Sequence, residues 1–177
     1  MYKITQEEFN KIERNKEGYK IIPAFTDCTA IKSFGECCGF GKGCSFGEGC
    51  RFGKRCRFGD CCSFSECCRF GECCGFGKGC SFGEECRFGE SCILENNKKL
   101  ISNFILFANG FGSENRCTYF FPTKEGLFVR CSCFSGTLKE FKDAIKNTHK
   151  NSDIAKEYLS LIKSMELRYK RILKEDD

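Results

Sequence analysis

The chain has 177 residues, a net charge of +5 and 18 cysteines, enough for one compact domain or a rod with small modules at its ends. Charge is spread evenly, with eight acids and eight bases across residues 34–92 and fifteen bases against eleven acids beyond them. That balance argues against a non-specific nucleic-acid binder and against a mimic working by polyanionic charge alone. There is no apolar run of about 18 residues to cross a membrane. The first residues, from Met1 to Glu8, are polar and acidic and lack the apolar segment of a secretion signal, so a reducing, cytoplasmic location is expected.

At the N-terminus Thr5-Gln6-Glu7-Glu8 reads as a capping box. It predicts a short helix over 6–15 with Phe9 and Ile12 on one face. Residues 19–33, with Ile21, Ile22, Phe25 and Ile31, are expected to form a degenerate first coil, making 1–33 a cap. From 34 to 92 the chain is ten copies of Phe-Gly-x-x-Cys-x. Cys38, Cys44, Cys50, Cys56, Cys62, Cys68, Cys74, Cys80, Cys86 and Cys92 recur every six residues, and Phe34 to Phe88 keep the same period. A metal site needs a cluster; a packing position needs a period. Within each copy Cys-x-Phe alternates as a short strand does, and the following glycine is expected to give the corner its backbone freedom. Residues 36–48 recur identically at 72–84, an offset of 36.

This pattern resembles the hexapeptide repeat of left-handed β-helices, in which three hexapeptides close one triangular coil of 18 residues. The resemblance covers 34–92 and departs from the family in placing Phe where aliphatic residues are usual. It implies a mainly β protein: a parallel β-helix of 18-residue triangular coils, left-handed by the resemblance, with slightly over three coils from ten repeats. The 36-residue duplication is then two whole coils. Phe fills the prism and periodic Cys acts beside it as a small hydrophobe. The strict period of six excludes pentapeptide repeats. Cys37, Cys61, Cys67 and Cys73, which precede periodic cysteines, fall on separate corners or two coils apart, roughly 9–10 Å, beyond disulfide reach.

Spacing of 18 stacks side chains into ladders. Glu48, Glu66 and Glu84 form one; Arg51, Arg69 and Arg87 form another three residues later. One reading is a guanidinium row for phosphates, or an acidic groove for a partner. The other, favoured here, is that each ladder neutralises the other, because like charges stacked at strand spacing are unfavourable. Lys42, Asp60 and Lys78 alternate in sign from coil to coil and suggest self-compensation. The face with Ser45, Gly47, Ser63, Ser65, Ser81 and Gly83 carries only small outward groups and is expected to be flat. Such a face suits a second copy or the chain's own C-terminal module, so a homo-oligomer through Ser45, Ser63 and Ser81 is one expectation.

Residues 93–177 differ in kind. Strands are predicted at 101–107, 117–121 and 126–131, the last two forming a hairpin around Lys124-Glu125-Gly126. Thr137-Leu138-Lys139-Glu140 is a second capping box, opening a helix to about 147. An amphipathic helix follows over 153–173, with Ile154, Tyr158, Leu161, Ile162, Met165 and Leu167 on its apolar side. This gives a small α+β module.

The module resembles a domain of phage and prophage proteins of low-GC bacteria. The likeness rests on the run from Gly112 through Arg116 and Cys117 to Phe121, the run from Val129 to Phe141, Thr148-His149, and Ala155-Lys156-Glu157-Tyr158. The resemblance implies a setting and carries no established activity.

Left-handed β-helices include acyltransferases and zinc carbonic anhydrases, which use histidines as base or ligand. Here His149 is the single histidine and lies outside the repeat. Cys131-Ser132-Cys133, even with Cys117, lacks a fourth zinc ligand in sequence. The expectation is therefore a non-enzyme without cofactor, metal or catalytic residues, a hexapeptide acyltransferase-like enzyme being the weakest alternative. The leading expectation is a phage- or prophage-encoded protein that binds and inhibits a host protein or nucleoprotein, in the manner of an anti-CRISPR inhibitor of host defence. The alternative is a structural, self-assembling component. Partner contacts are expected at Arg51, Arg69, Arg87, Glu48, Glu66 and Glu84, with Arg116 and Arg130 on neighbouring strands as further anionic contacts. Direct nucleic-acid binding is left open.

Overall fold

The computed structural model describes residues 1–112 and 116–175 and divides into two compact units, Met1–Phe104 and Ile105–Asp177. The division falls a dozen residues later than the expected boundary at 92/93. The first unit is a β-solenoid. Cys38–Phe40 pairs in parallel with Arg57–Phe58, which pairs in turn with Gly75–Phe76, so that Phe40, Phe58 and Phe76 lie in register at the 18-residue offset.

Three sheets form the sides. A serine face carries Tyr2–Lys3, Thr26–Asp27, Ser45–Phe46, Ser63–Phe64 and Ser81–Phe82. A mixed face carries Lys20–Ile22, Cys38–Phe40, Arg57–Phe58, Gly75–Phe76 and Ile93–Leu94, closed by the antiparallel Lys98–Lys99. An arginine face carries Arg51–Phe52, Arg69–Phe70 and Arg87–Phe88. The degenerate first coil is present, with Ile22 and Ile31 buried, whereas Ile21 and Phe25 point outward.

Inside the prism the phenylalanines make three columns. Rings 18 residues apart stack with centroids 4.8–5.3 Å apart. Columns meet edge-on, as in Phe58 against Phe64 at 4.9 Å and 90°. Both arrangements suit the quadrupole of the ring. Strand spacing of about 4.8 Å and ring-stacking distance coincide, which explains why a parallel ladder accepts Phe at every step.

Glycine's role differs from the expectation. Of the Phe-Gly glycines in the repeat, only Gly35 is left-handed (φ 66°); those from Gly41 to Gly89 are not and are needed for room. A Cβ on Gly71 would lie 2.6 Å from the Gly53 carbonyl carbon, and one on Gly83 would lie 2.5 Å from the Glu66 nitrogen. The left-handed corner sits two residues later, immediately before each periodic Cys: Cys37, Arg55, Cys61, Cys67, Cys73, Glu85 and Ser91 all have φ between 52° and 60°. That turn aims the residue's N–H along the axis, as in Arg55 N donating to the Glu72 carbonyl at 2.9 Å. A non-glycine there costs about 1–2 kcal/mol. Gly71→Ala should therefore lower stability by about 1–3 kcal/mol, as overpacking does, while Arg55→Gly should be neutral or stabilising by up to about 1 kcal/mol. Chemical denaturation of the two variants checks this; equal effects would remove the distinction between the two corner positions.

The periodic cysteines also do more than fill space. Their thiols donate to carbonyls one coil back: Cys56 to Gly35 at 3.4 Å, Cys62 to Gly41 at 3.3 Å, Cys74 to Gly53 at 3.4 Å. A small, apolar side chain with one weak donor answers a buried carbonyl without bringing in a strongly hydrated group.

Both ends are closed. The capping box at Thr5 and Glu8 forms as expected, and α1 (Gln6–Lys11) sets Phe9 edge-on against Phe34 at 5.3 Å. The helix is shorter than 6–15 because the chain turns at Asn15 to Gly18, where Arg14 donates to the Glu36 carbonyl at 3.2 Å. At the other end the repeat extends past 92 to Leu94, and Leu100 N bonds the Cys92 carbonyl at 2.9 Å. Pairing the exposed edge this way removes a template for aggregation.

The second unit is a four-stranded antiparallel sheet, Leu106–Phe111, Arg116–Thr123, Gly126–Cys131 and Phe134–Thr137, with α2 (Leu138–His149) and α3 (Asp153–Glu175). The 126–131 strand is as predicted. The first strand starts later than 101, and Phe134–Thr137 was not foreseen because its Ser-Gly centre lacks alternation. Thr137 and Glu140 form the expected capping box. In α3 Leu167 is 59% exposed instead of buried, while Ala155 and Ile172 join the core.

Candidate functional site

The solenoid presents three chemically distinct faces, one for each sheet, each set by the single outward residue of Cys-x-Phe. On the serine face, Ser45, Ser63 and Ser81 stand in register, and Ser63 Oγ lies 3.3 Å from Ser45 Oγ. On the mixed face the outward column reads Ile21, Gly39, Arg57, Gly75, Ile93. Arg57 stacks its guanidinium over Tyr19 at 4.8 Å, and Gly75 floors a shallow recess between Arg57 and Ile93.

The arginine face is the most strongly charged. Arg51, Arg69 and Arg87 are directly opposite one another in a parallel ladder, and all three are exposed. Glu48, Glu66 and Glu84 are exposed on the corner leading into that face. The expected mutual neutralisation does not take the form of ion pairs: among the described residues no carboxylate lies within 4.0 Å of any of the three guanidinium groups. On the next corner Lys54 does pair with Glu72 at 2.9 Å, one coil on. Asp60, foreseen as a counter-charge to Lys42 and Lys78, instead accepts from the backbone N–H of Lys78 at 2.7 Å. So like charges are stacked at strand spacing, an arrangement that destabilises the free molecule.

The corner cysteines are separate, with Cys61 and Cys73 exposed and Cys37 and Cys67 half-buried. The buried thiols divide: most are pushed up, while Cys56, Cys68 and Cys92 are drawn down by hydrogen bonds from stacked thiols. Burial pushes Cys28 up to about 12, and Cys44 is raised by its hydrogen bond with the stacked Cys62 and by burial. No group of three His, Cys, Asp or Glu among the described residues could hold a metal ion, and no described helix is long and apolar enough to cross a membrane.

In the second unit, Arg130 is 9% exposed and lies over the Tyr119 ring at 4.9 Å and the Phe121 ring at 5.5 Å. Its cation is turned to aromatic faces of the sheet instead of standing out toward solvent. Arg116 opens the neighbouring strand, and its side chain lies outside the described residues, as do Ser113, Glu114 and Asn115 of the motif. Sequence reading gave little weight to a small cavity of about 150 Å³ lined by Cys131, Phe134, Phe141, Ile145, Thr148, His149 and Tyr158, among others. Thr118 Oγ1 donates to Cys131 Sγ at 3.2 Å, and Tyr158 stacks on His149 at 6.0 Å. Gly112 (φ 76°) lets Tyr158 close over it, since a Cβ there would lie 2.0 Å from the phenol oxygen. Among the motif residues, Gly112, Thr118, Cys131, Phe134, Phe141 and Tyr158 thus converge on one aromatic core.

No family model, curated protein or solved structure matches the chain.

Proposed function

We propose that the chain is a non-enzymatic binding protein of phage or prophage origin, which uses its solenoid, together with the C-terminal module, to engage and inhibit a host protein or nucleoprotein of a defence system. The observation that carries the reading is the ladder Arg51–Arg69–Arg87, which has no carboxylate within 4.0 Å among the described residues. Three stacked cations cost stability in the free molecule, and an anionic partner turns that cost into binding. Continuous ring columns and paired ends make the surface stiff, so little ordering entropy opposes association. The phage setting rests on the resemblance of the C-terminal module.

The test is capture by tagged full-length protein from a bacterial lysate, with and without nuclease, beside a triple variant Arg51→Ser, Arg69→Ser, Arg87→Ser. A stoichiometric host protein retained by the native chain and lost by the variant is the expected result. Recovery of the chain alone, as a defined multimer in sedimentation, would replace this reading with a self-assembling component docked through the flat Ser45, Ser63 and Ser81 face.

A further inference from the structure

The charge pattern of the arginine face narrows the partner. The row Arg51, Arg69, Arg87 runs along the solenoid axis, in register from coil to coil. On the leading corner runs the parallel acidic row Glu48, Glu66, Glu84, and the trailing corner carries Glu36, Lys54, Glu72 and Glu90. In the trailing set Lys54 is already engaged with Glu72. With Arg55 also on that corner, the face is a cationic stripe with an unbroken acidic row on its leading side and a mixed corner with a slight excess of acid on its trailing side. The solenoid segment 34–92 has equal numbers of acids and bases.

We infer that this face takes one α-helix of a partner protein, laid along the solenoid axis, with a carboxylate stripe at i, i+4, i+7 facing the arginines and basic residues flanking that stripe. This deepens the binding-protein reading and rests on it. The spacing fits: the arginines repeat at about 4.8 Å along the axis, and a helix face repeats every turn at about 5.4 Å. Over the two steps from Arg51 to Arg87 the mismatch is roughly 1.2 Å. A flexible three-carbon stem absorbs that, and each guanidinium can meet a carboxylate in bidentate fashion. Flanking bases on the helix would meet Glu48, Glu66 and Glu84.

A nucleic acid fits less well. A duplex carries about one charge per 1.7 Å of axis, so phosphates approaching the arginine stripe are also brought against the acidic row Glu48, Glu66, Glu84. Like-charge juxtaposition of this kind selects against a wrong partner.

Serine already occupies the same outward strand position at Ser45, Ser63 and Ser81, so arginine-to-serine changes keep a side chain that the coil accepts. The probe is a synthetic helical peptide with a Glu stripe flanked by Lys. Controls are a peptide of the same composition with the charges scrambled, and a single-stranded oligonucleotide. Binding to the full chain is read by fluorescence anisotropy at low and physiological salt. The striped peptide should bind and the scramble should not. Arg69→Ser should weaken binding at least about tenfold, the scale of one charged hydrogen bond, and Arg57→Ser on the other face should leave it unchanged. Equal binding of both peptides, an unaltered affinity in Arg69→Ser, or tighter binding of the oligonucleotide through the same arginines would each overturn the inference. If a host protein is captured from lysate independently of these arginines, the helix assignment fails while the binding-protein reading stands.

Discussion

Phe64→Ala should cost about 3–5 kcal/mol, enough to melt the middle of a domain whose total stability is of order 5–15 kcal/mol. Phe64 stacks on Phe46 at 4.8 Å and on Phe82 at 5.3 Å. Its edges meet Phe58 and Phe70, both at 4.9 Å. Removing the ring interrupts one column and takes a wall from the other two. The coils above and below are held by backbone ladders at one residue spacing, so they cannot close the gap without breaking hydrogen bonds, and the cavity stays open. A solenoid is quasi-one-dimensional, each coil touching only its neighbours. Loss of protection should therefore spread from the coil of Phe64 toward both ends. Hydrogen exchange of the Ser63–Phe64 and Ser81–Phe82 amides, together with the denaturation midpoint, measures it. Phe64→Leu should lose clearly less, because Ile22 and Leu94 already end one of the columns with aliphatic side chains. A loss below about 1 kcal/mol for Phe64→Ala would mean that the prism repacks and that the stacked rings do not set its stability.

Much of the solenoid was legible because its information is periodic. The six-residue period of Phe and Cys, grouped in threes by the resemblance and the 36-residue duplication, gave the coil length and hence the register of every face. Thr5 and Thr137 marked helix starts because a capping box is a local device read from four residues. What stayed hidden was non-local. Glycine after Phe looked like a hinge in one dimension; only stacking shows a Cβ on Gly71 running into Gly53. The left-handed corner is occupied by Cys, Arg, Glu, Ser and Gly alike, so no residue type announced it. The thiol-to-carbonyl bonds link residues about 21 apart, a spacing invisible until the coils are stacked. For the candidate site, the rows of Arg and Glu could be read from the period, but whether they touch depends on corner geometry. Their distance, not their presence, separates a surface of paired charges from one whose arginines stand unpaired by carboxylates among the described residues. Arg130 shows the reverse: a strand-borne cation in sequence, it is absorbed by Tyr119 and Phe121 across the sheet.

The columns of buried thiols predict an unusually steep collapse in alkali. Cys28, Cys38, Cys44, Cys50, Cys62, Cys74 and Cys86 are raised above the ordinary thiol range, Cys28 by burial first and others by hydrogen bonds between stacked thiols together with burial. Cys56, Cys68 and Cys92, by contrast, are drawn down by the hydrogen bonds they accept from stacked neighbours. For Cys62 the bond to Cys44 pulls the other way, and the bond to Cys80 and burial outweigh it. An unfolded thiol loses its proton near pH 8.5. Above that pH the unfolded chain binds fewer protons than the folded one, so stability falls as pH rises; below it the contribution is fully present. The window runs from about pH 8.5 upward, through about 12 for Cys28. Each such group contributes a slope of about 1.4 kcal/mol per pH unit once the unfolded thiol is ionised. Several acting together make the slope a large share of the whole stability of a domain, and Cys56, Cys68 and Cys92 add nothing to it. Circular dichroism followed against pH should therefore show the solenoid strands lost cooperatively between about pH 9 and 10.5, with thiolate absorbance rising in the same step. Strands that persist through that window, or thiolate appearing well before they melt, would show that the thiols ionise inside the intact prism and do not tie its fold to their protons.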